Sequence, residues 1–387
     1  MRGVSIIGIG STQFGVLEGK SLKEIGTIAC DAAIRDAGID KSDIEAFFLG
    51  NMVSGILQNH ETIAPLIGNS VGLRKDIAQT KVEGACCSGG IAIRLAYLLI
   101  ASGVYDIVLA GGVERMSNAP RDLTTGALAS AMDQETEGKA GLTFPGFFAL
   151  IARRHMYEFG TKLEHLSLVS VKSRKNGVVN PRARFREAVT LETAMNSRTI
   201  TDPLRLFDCC PIGDGSAAAV LCAAELAKKF ASKPIVDIIG SAQTTGSSTA
   251  YEEKSLTTMT ATVLAGKQAF DMAKIKPSDV SLVELHDCFT IAEIVDSEDL
   301  GFFEKGKGGF AVEEGLTQVD GKLPINPSGG LLAKGHPVGA TGLGQVYEVV
   351  KQLRGEHENQ VKGAAIGLTH NLGATGQVCT VHILRRR

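Results

Sequence analysis

Short apolar runs alternate with longer stretches of helical periodicity along most of this chain. Val4 to Ile9 is apolar at nearly every position and reads as a strand buried on both faces. Ser21-Leu-Lys-Glu24 has the serine and glutamate of a capping box, which predicts a helix to about Ala37. Ile44 to Gly50 returns as a strand, a helix is expected near Glu61 to Val71, and a further strand ends near Ala85. A tight turn at Cys86 and Cys87 then feeds a helix from about Ser88 to Ser102, and Asp106 to Gly111 is another buried strand. Strands alternating with helices imply βαβ units and an α/β sheet covered on both faces. GIGSTQFG after the first strand has the wrong glycine spacing for a dinucleotide fingerprint, so no such site is expected.

From Gly112 to about Asp208 the pattern changes. GGVERMSNAP reads as a loop, and Thr143 to Gly160 and Thr161 to Gly177 read as helices, the second opened by a capping box of Thr161 and Glu164. The run KSRKNGVVNPRARFRE carries Lys172, Arg174, Lys175, Arg182, Arg184 and Arg186. It is either a surface for a phosphate-bearing ligand or a solvated charged face. Strands resume at Ala217 to Leu221 and Ile235 to Ile239.

The second part of the chain repeats the first. Asp36 to Gly50 matches Met272 to His286, with Asp43 against Asp279. Cys86 to Gly103 matches Val338 to Gly355, with Gly90 against Gly342 and Gly103 against Gly355. The expected division is a first half over residues 1–111 and 209–250, an insertion over 112–208 and a second half over 251–387. The turn bearing Cys86 then corresponds to that bearing Gly335-His336-Pro337, and a pseudo-twofold axis would bring the two together as one site.

Composition narrows the function classes. A net charge of -2 argues against general affinity for nucleic acid or anionic membrane. Gly 45 against Pro 11 with Trp 0 favours tight strand-to-helix turns over an aromatic-lined binding module. Eight scattered cysteines without a C-x-x-C suit neither a disulfide framework nor a zinc site. The start MRGVSIIGIG lacks a signal-peptide shape, no run approaches a membrane span, and HILRRR carries no peroxisomal tripeptide, so a reducing cytoplasm is expected.

Within this frame KVEGACCSGG places a thiol at a helix amino end. Unpaired N–H groups and the helix dipole there favour a thiolate and are expected to lower its pKa. Cys86 thus reads as a nucleophile, or as a small buried core cysteine. VELHDCFTIAE presents His286, Asp287 and Cys288 where a strand feeds a helix, the usual ligand-binding end of an α/β sheet. NPSGGLLAKGHPVGATG holds His336, and GLTHNLGATG puts His370 and Asn371 after another apolar strand. Each histidine, taken alone, reads first as a satisfied structural residue.

Together these stretches resemble the thiolases over essentially the whole chain. The resemblance is greatest to the sterol-carrier-protein-type thiolases and their archaeal and bacterial acetyl-CoA acetyltransferase relatives. VEGACCSGG is similar to the family's nucleophile motif V-N-x-x-C-x-S-G and maps the reactive cysteine to Cys86. GGVERMSNAP, CCPIGDGSAAA and GGLLAKGHPVGATG are also close to family stretches. The implied fold is a duplication of two βαβαβαββ halves in a layered αβαβα core, with a loop domain inserted in the first half. Two departures matter. Many thiolases carry N-E-A-F where this chain has His286 to Phe289, and a second catalytic cysteine in a C-x-G where it has His370-Asn-Leu. In the sterol-carrier-protein type H-D-C-F supplies that cysteine, so its role carries over to Cys288, and Cys379 is left to the core.

The resemblance implies acetyl-CoA C-acetyltransferase activity through an acyl-cysteine, feeding mevalonate and isoprenoid synthesis. His336 would take the proton of Cys86, and Cys288 would remove an α-proton from a second acetyl-CoA and later return it. His336 and His286 would donate to the enolate, and backbone N–H groups of Cys86, Leu372 and Gly373 would serve the acyl oxygen. The insertion would cover the pantetheine arm, with Lys172, Arg174, Arg182, Arg184 and Arg186 meeting the CoA phosphates. The implied cofactors are none beyond the CoA thioester substrate, with no metal. Implied partners are a second copy, as homodimer or dimer of dimers, and hydroxymethylglutaryl-CoA synthase through a small zinc-ribbon/OB-fold protein. Degradative thiolysis of longer or branched 3-ketoacyl-CoA competes, because one methylene in a pocket is worth only about 1–3 kcal/mol. A β-ketoacyl synthase would not require Cys288, and an inactive scaffold or acyl-CoA-binding subunit would need none of Cys86, Cys288 and His336.

Overall fold

The computed structural model describes residues 2–230 and 232–387. Its main strands are β1 (Val4–Ser11), β2 (Ala46–Gly50), β3 (Ala78–Val82), β4 (Ile107–Glu114), β5 (Gly215–Ala223), β6 (Val236–Thr245), β7 (Leu282–Glu284), β8 (Ile366–Gly373) and β9 (Val378–Arg386). They form a 9-stranded sheet in the order β3-β2-β4-β5-β1-β6-β9-β8-β7. The helices that position the site are α1 (Leu22–Ala37), α2 (Ile63–Val71), α3 (Ser88–Ala101), α4 (Phe144–Phe159), α5 (Leu163–Gly177), α6 (Thr260–Ala273), α7 (Thr290–Asp299) and α8 (Thr341–Arg354).

The strand alternation sorts side chains into two cores. Along β5, Ala217, Ala219 and Leu221 pack with α3 and α8, whereas Ala218, Val220 and Cys222 pack with α1 and α2. Both faces are apolar because both are covered, which is why β1 and β5 are buried along their whole length. In the other half of the sheet Val283, Leu368, Val381 and Ile383 pack against α6 and α7. The layers are therefore α1 and α2, half-sheet, α3 and α8, half-sheet, α6 and α7.

The duplication is physical. β1 meets β6 antiparallel at the centre through Ser5↔Asp237 and Ile6↔Val236. The parallel pairing of β2 with β3 recurs as a single parallel bridge, Val283↔Ile325. Asp43 accepts from the Asp40 N–H at 3.0 Å, and its counterpart Asp279 accepts from the Lys276 N–H at 2.8 Å, closing equivalent turns. α3 and α8 cross in contact, since a Cβ on Gly342 would lie 2.3 Å from the Gly90 nitrogen. In the sheet β6 lies beside β9, in the place β1 takes beside β5.

Three local expectations change. Gly111 to Glu114 of GGVERMSNAP complete β4 instead of starting a loop. The cap of α5 is Lys162, whose N–H meets His165 Nδ1 at 3.4 Å, while the Thr161 hydroxyl bonds His155 Nδ1 at 2.7 Å. The start of the basic run, through Gly177, continues α5. β4 and β5 are adjacent, and the segment between them leaves the sheet to seat Phe147, Phe148, Leu166 and Val169 in the core of the second half.

Candidate active site

Two turns meet where α3 and α8 begin. Cys86 sits in the one-turn segment Ala85–Cys87 ahead of α3, and His336 precedes the matching segment Val338–Ala340 ahead of α8. The Cys86 turn is built from strained parts: Ala85 takes a φ of +51°, and Ala374, facing it from the end of β8, takes +56°. Ser88 holds the turn closed, its hydroxyl donating to the Ala85 carbonyl at 2.6 Å and accepting from the Gly84 N–H at 3.0 Å. Only glycine permits β8 to approach, because a Cβ on Gly373 would lie 2.4 Å from the Gly84 carbonyl oxygen.

The Cys86 sulfur and ring nitrogens of His286 and His336 lie within 4.8 Å of one another. The two imidazoles stand edge to face with centroids 4.9 Å apart. Cys288 lines the same cavity, which encloses about 860 Å³ between walls that include Met116, Phe148, Phe289, Leu332 and Val338. Phe148 of the insertion stacks on Phe289 at 4.6 Å, so the insertion supplies part of the wall.

Hydrogen bonds fix opposite tautomers on the two histidines. The Thr341 hydroxyl donates to the Pro337 carbonyl at 3.1 Å, so at 2.7 Å from His336 Nδ1 it accepts, leaving His336 Nε2 with a lone pair. That Nε2 is buried without a hydrogen-bond partner among the described residues. The Asn371 amide nitrogen donates to the Cys86 carbonyl at 3.0 Å, and with its other hydrogen to His286 Nδ1 at 3.1 Å. His286 therefore carries its proton on Nε2. One ring is a base and the other a donor.

The thiol departs from the expected direction. Burial pushes Cys86 up to about 12, helped by Cys87 and Glu114, and the N–H groups of Ala374 and Cys86 itself offset this only in part. Desolvation thus outweighs the helix dipole. Burial lowers His336 to about 3, and burial, with help from His336 and His370, lowers His286 well below its ordinary value. The resting pair is a neutral thiol beside a neutral imidazole.

Cys86, His286, Cys288 and His336 are all brought to one cavity, and Arg174 and Arg184 of the basic run reach its lining. Lys172 does not: it is fully buried and ion-paired with Glu293, with no face left for a phosphate. Arg182 lies over the Tyr347 ring, and Arg186 donates to the Val178 carbonyl at the surface. Leu372 and Gly373 are strand residues paired with Cys379 and Val378, and the amide that faces the Cys86 sulfur is that of Ala374. His370 lies under the site, bonded to Thr262 at 2.9 Å, with its Nδ1 3.5 Å from the His286 N–H.

The sequence reading missed four contributors. Cys210 lines the cavity beside Cys288, whose carbonyl accepts its N–H at 3.0 Å. Arg121 and Arg198 of the insertion join the lining. Glu114 is buried and raised to about 7 by desolvation, while it accepts from the N–H groups of Met52, Val53 and Gly339 and from Asn51. It thereby ties the end of β4 to the loop that carries His336.

Residues 4–225 match the family model described as thiolase, N-terminal domain, and residues 242–386 match thiolase C-terminal domain-like. An acetyl-CoA acetyltransferase of Methanothermobacter thermautotrophicus is 49% identical over 387 residues, covering 100% of both chains. Sterol carrier protein 2 of Bos taurus is 35% identical over 390 residues, covering 97% of this chain and 71% of that protein. A solved structure described as Ltp2-ChsH2(DUF35) aldolase superposes with a TM-score of 0.85 at 27% identity, covering 99% of this chain and 98% of that one.

Proposed function

The chain belongs to the thiolase family, and on that premise we propose that it is an acetyl-CoA C-acetyltransferase condensing two acetyl-CoA into acetoacetyl-CoA and CoA. The observation that carries the reading is the meeting of two thiols, Cys86 and Cys288, with a base and a donor imidazole on one apolar cavity. The name of the methanogen relative supports acetyl-CoA as the substrate.

In the first half-reaction His336 Nε2 takes the Cys86 proton as the sulfur attacks the thioester carbonyl, and CoA leaves with the proton of Cys288. The amides of Cys86 and Ala374 receive the developing oxyanion, each such donor being worth roughly 3 kcal/mol. In the second, the Cys288 thiolate removes an α-proton from the next acetyl-CoA, and His286 Nε2–H stabilises the enolate oxygen. The carbanion attacks the acyl-cysteine, and Cys86 departs and recovers its proton from His336. Burial suits Cys288 to this work: a thiol pushed well up keeps its proton at rest, and its thiolate is a strong base. Arg121, Arg174, Arg184 and Arg198 would meet the phosphates of CoA at the cavity.

Degradative cleavage of longer 3-ketoacyl-CoA is the second reading, favoured by the apolar wall of Phe148, Phe289 and Leu332. Initial rates of thiolysis with acetoacetyl-CoA and with 3-ketooctanoyl-CoA separate the two. A preference of about tenfold or more for the four-carbon substrate is expected, and the reverse preference would replace acetyl transfer with degradation.

Condensation of thioesters is uphill, so a role in mevalonate and isoprenoid synthesis needs a consumer of the product. The proposed consumer is hydroxymethylglutaryl-CoA synthase, held by a small zinc-ribbon/OB-fold protein. The two-component name of the Ltp2-ChsH2(DUF35) aldolase supports the idea that a relative of this fold works in an assembly of two proteins. The proposed setting is the cytoplasm, as a homodimer or dimer of dimers, and among the described residues no helix is long and apolar enough to cross a membrane. Purification from the native host should recover the synthase with this chain, and recovery of the chain alone would remove that part of the proposal.

A further inference from the structure

The donor set at the centre of the site is also suited to a different occupant. We propose that Cys86, His286 and His336 form a binding site for a thiophilic divalent cation of the zinc type, and that its occupation shuts off acyl transfer. Binding rests on the geometry alone, and its effect on turnover rests on the acyl-transfer reading.

The three donor atoms lie within 4.8 Å of one another. Tetrahedral zinc, with bonds of about 2.3 Å to sulfur and about 2.0–2.1 Å to nitrogen, sets its donors roughly 3.3–3.6 Å apart. Side-chain rotations closing about 1 Å bring them to that spacing. His336 Nε2 already offers a buried lone pair with no partner among the described residues. Thr341 fixes the opposite nitrogen at 2.7 Å, the support a ligating histidine needs. Three protein ligands leave a fourth position open to the cavity, where water completes the coordination.

The step balances simply. The Cys86 S–H bond breaks, a sulfur–metal bond forms, and one proton leaves to solvent. His286 keeps its ring proton but carries it on Nδ1, giving up the contact from the Asn371 amide. Cys86 and His336 are therefore the principal ligands and His286 the weaker third. A metal held in this way occupies both the nucleophile and its base. Cysteine spacing along the chain could not reveal it, because the ligands come from three separate turns.

Cobalt(II) added to metal-free protein is the direct probe. One equivalent should bind with a near-ultraviolet thiolate-to-cobalt band and intense visible bands of tetrahedral coordination. Affinity should rise about tenfold per pH unit, as release of one proton requires. His336→Ala should weaken binding about a hundredfold and His286→Ala about tenfold. Zinc at one equivalent should block both iodoacetamide alkylation of Cys86 and labelling by acetyl-CoA, and EDTA should restore both. Alkylation of Cys86 in the wild-type protein, located by peptide mass, should abolish the cobalt spectrum without any question of folding. Absence of the thiolate band, or its persistence after that alkylation, overturns the site. Acetyl labelling of the metal-free protein reports separately on the acyl-transfer reading, so metal binding without labelling would leave the site standing and remove the reading.

Discussion

Cys86→Ala protein exposed to labelled acetyl-CoA is expected to retain no covalent acetyl group, and its turnover should fall by roughly a millionfold, as for loss of other covalent nucleophiles. Cys87 is adjacent but cannot substitute. Its sulfur is fully buried, donates to the Asn371 carbonyl at 3.0 Å and lies 3.3 Å from the Thr380 hydroxyl, on the side away from the cavity lining. Cys86 alone of the pair faces the donor amides and a ring nitrogen of His336. The change removes one sulfur from a small cluster with Val53, Met116 and Val338, so the fold should survive at a cost of about 1–2 kcal/mol. Label retained on the variant, mapped by peptide mass, would move the nucleophile, with Cys87 first in line.

Cys288→Ala should divide the reaction at its midpoint. One acetyl group per site should still be transferred to Cys86, because CoA is a thiolate leaving group that departs without help from an acid. Condensation should fall by about 10²–10⁴-fold, since nothing then removes the α-proton. The remaining candidates are unsuited: His336 holds the proton of Cys86, and His286 presents an N–H. Cys210 stands next to Cys288 and burial pushes its thiol well up in the same way, so any residual condensation would point to it first. Rapid-quench measurement of acyl-enzyme alongside steady-state condensation distinguishes the steps. Normal condensation by the variant would remove Cys288 as the base.

Most of the fold is legible in the residues because two patterns are local. Strands such as β1, buried on both faces, are apolar without a break, and the Ser21 and Glu24 box of α1 forms as written, with the serine N–H donating to the glutamate at 2.7 Å. The repeat registers Asp43 on Asp279 and Gly90 on Gly342, which pairs the Cys86 and His336 turns from the residues alone. What escapes depends on tertiary surroundings. The helix dipole at Cys86 is written in the sequence, but the desolvation that reverses its effect is not. Lys172 reads as a surface base until Glu293, more than a hundred positions away, buries it. The donor amide is at Ala374, just past Leu372 and Gly373, because where a strand ends and its backbone turns is set by the partner strand β9.

The burial of Cys86, 9% exposed, has a bearing on how the protein lasts between turnovers. Electrophiles and peroxides attack the thiolate form. On the proposal that Cys86 is the nucleophile, a thiol stored with its proton reacts slowly with such agents between turnovers. Speed of attack is exchanged for durability.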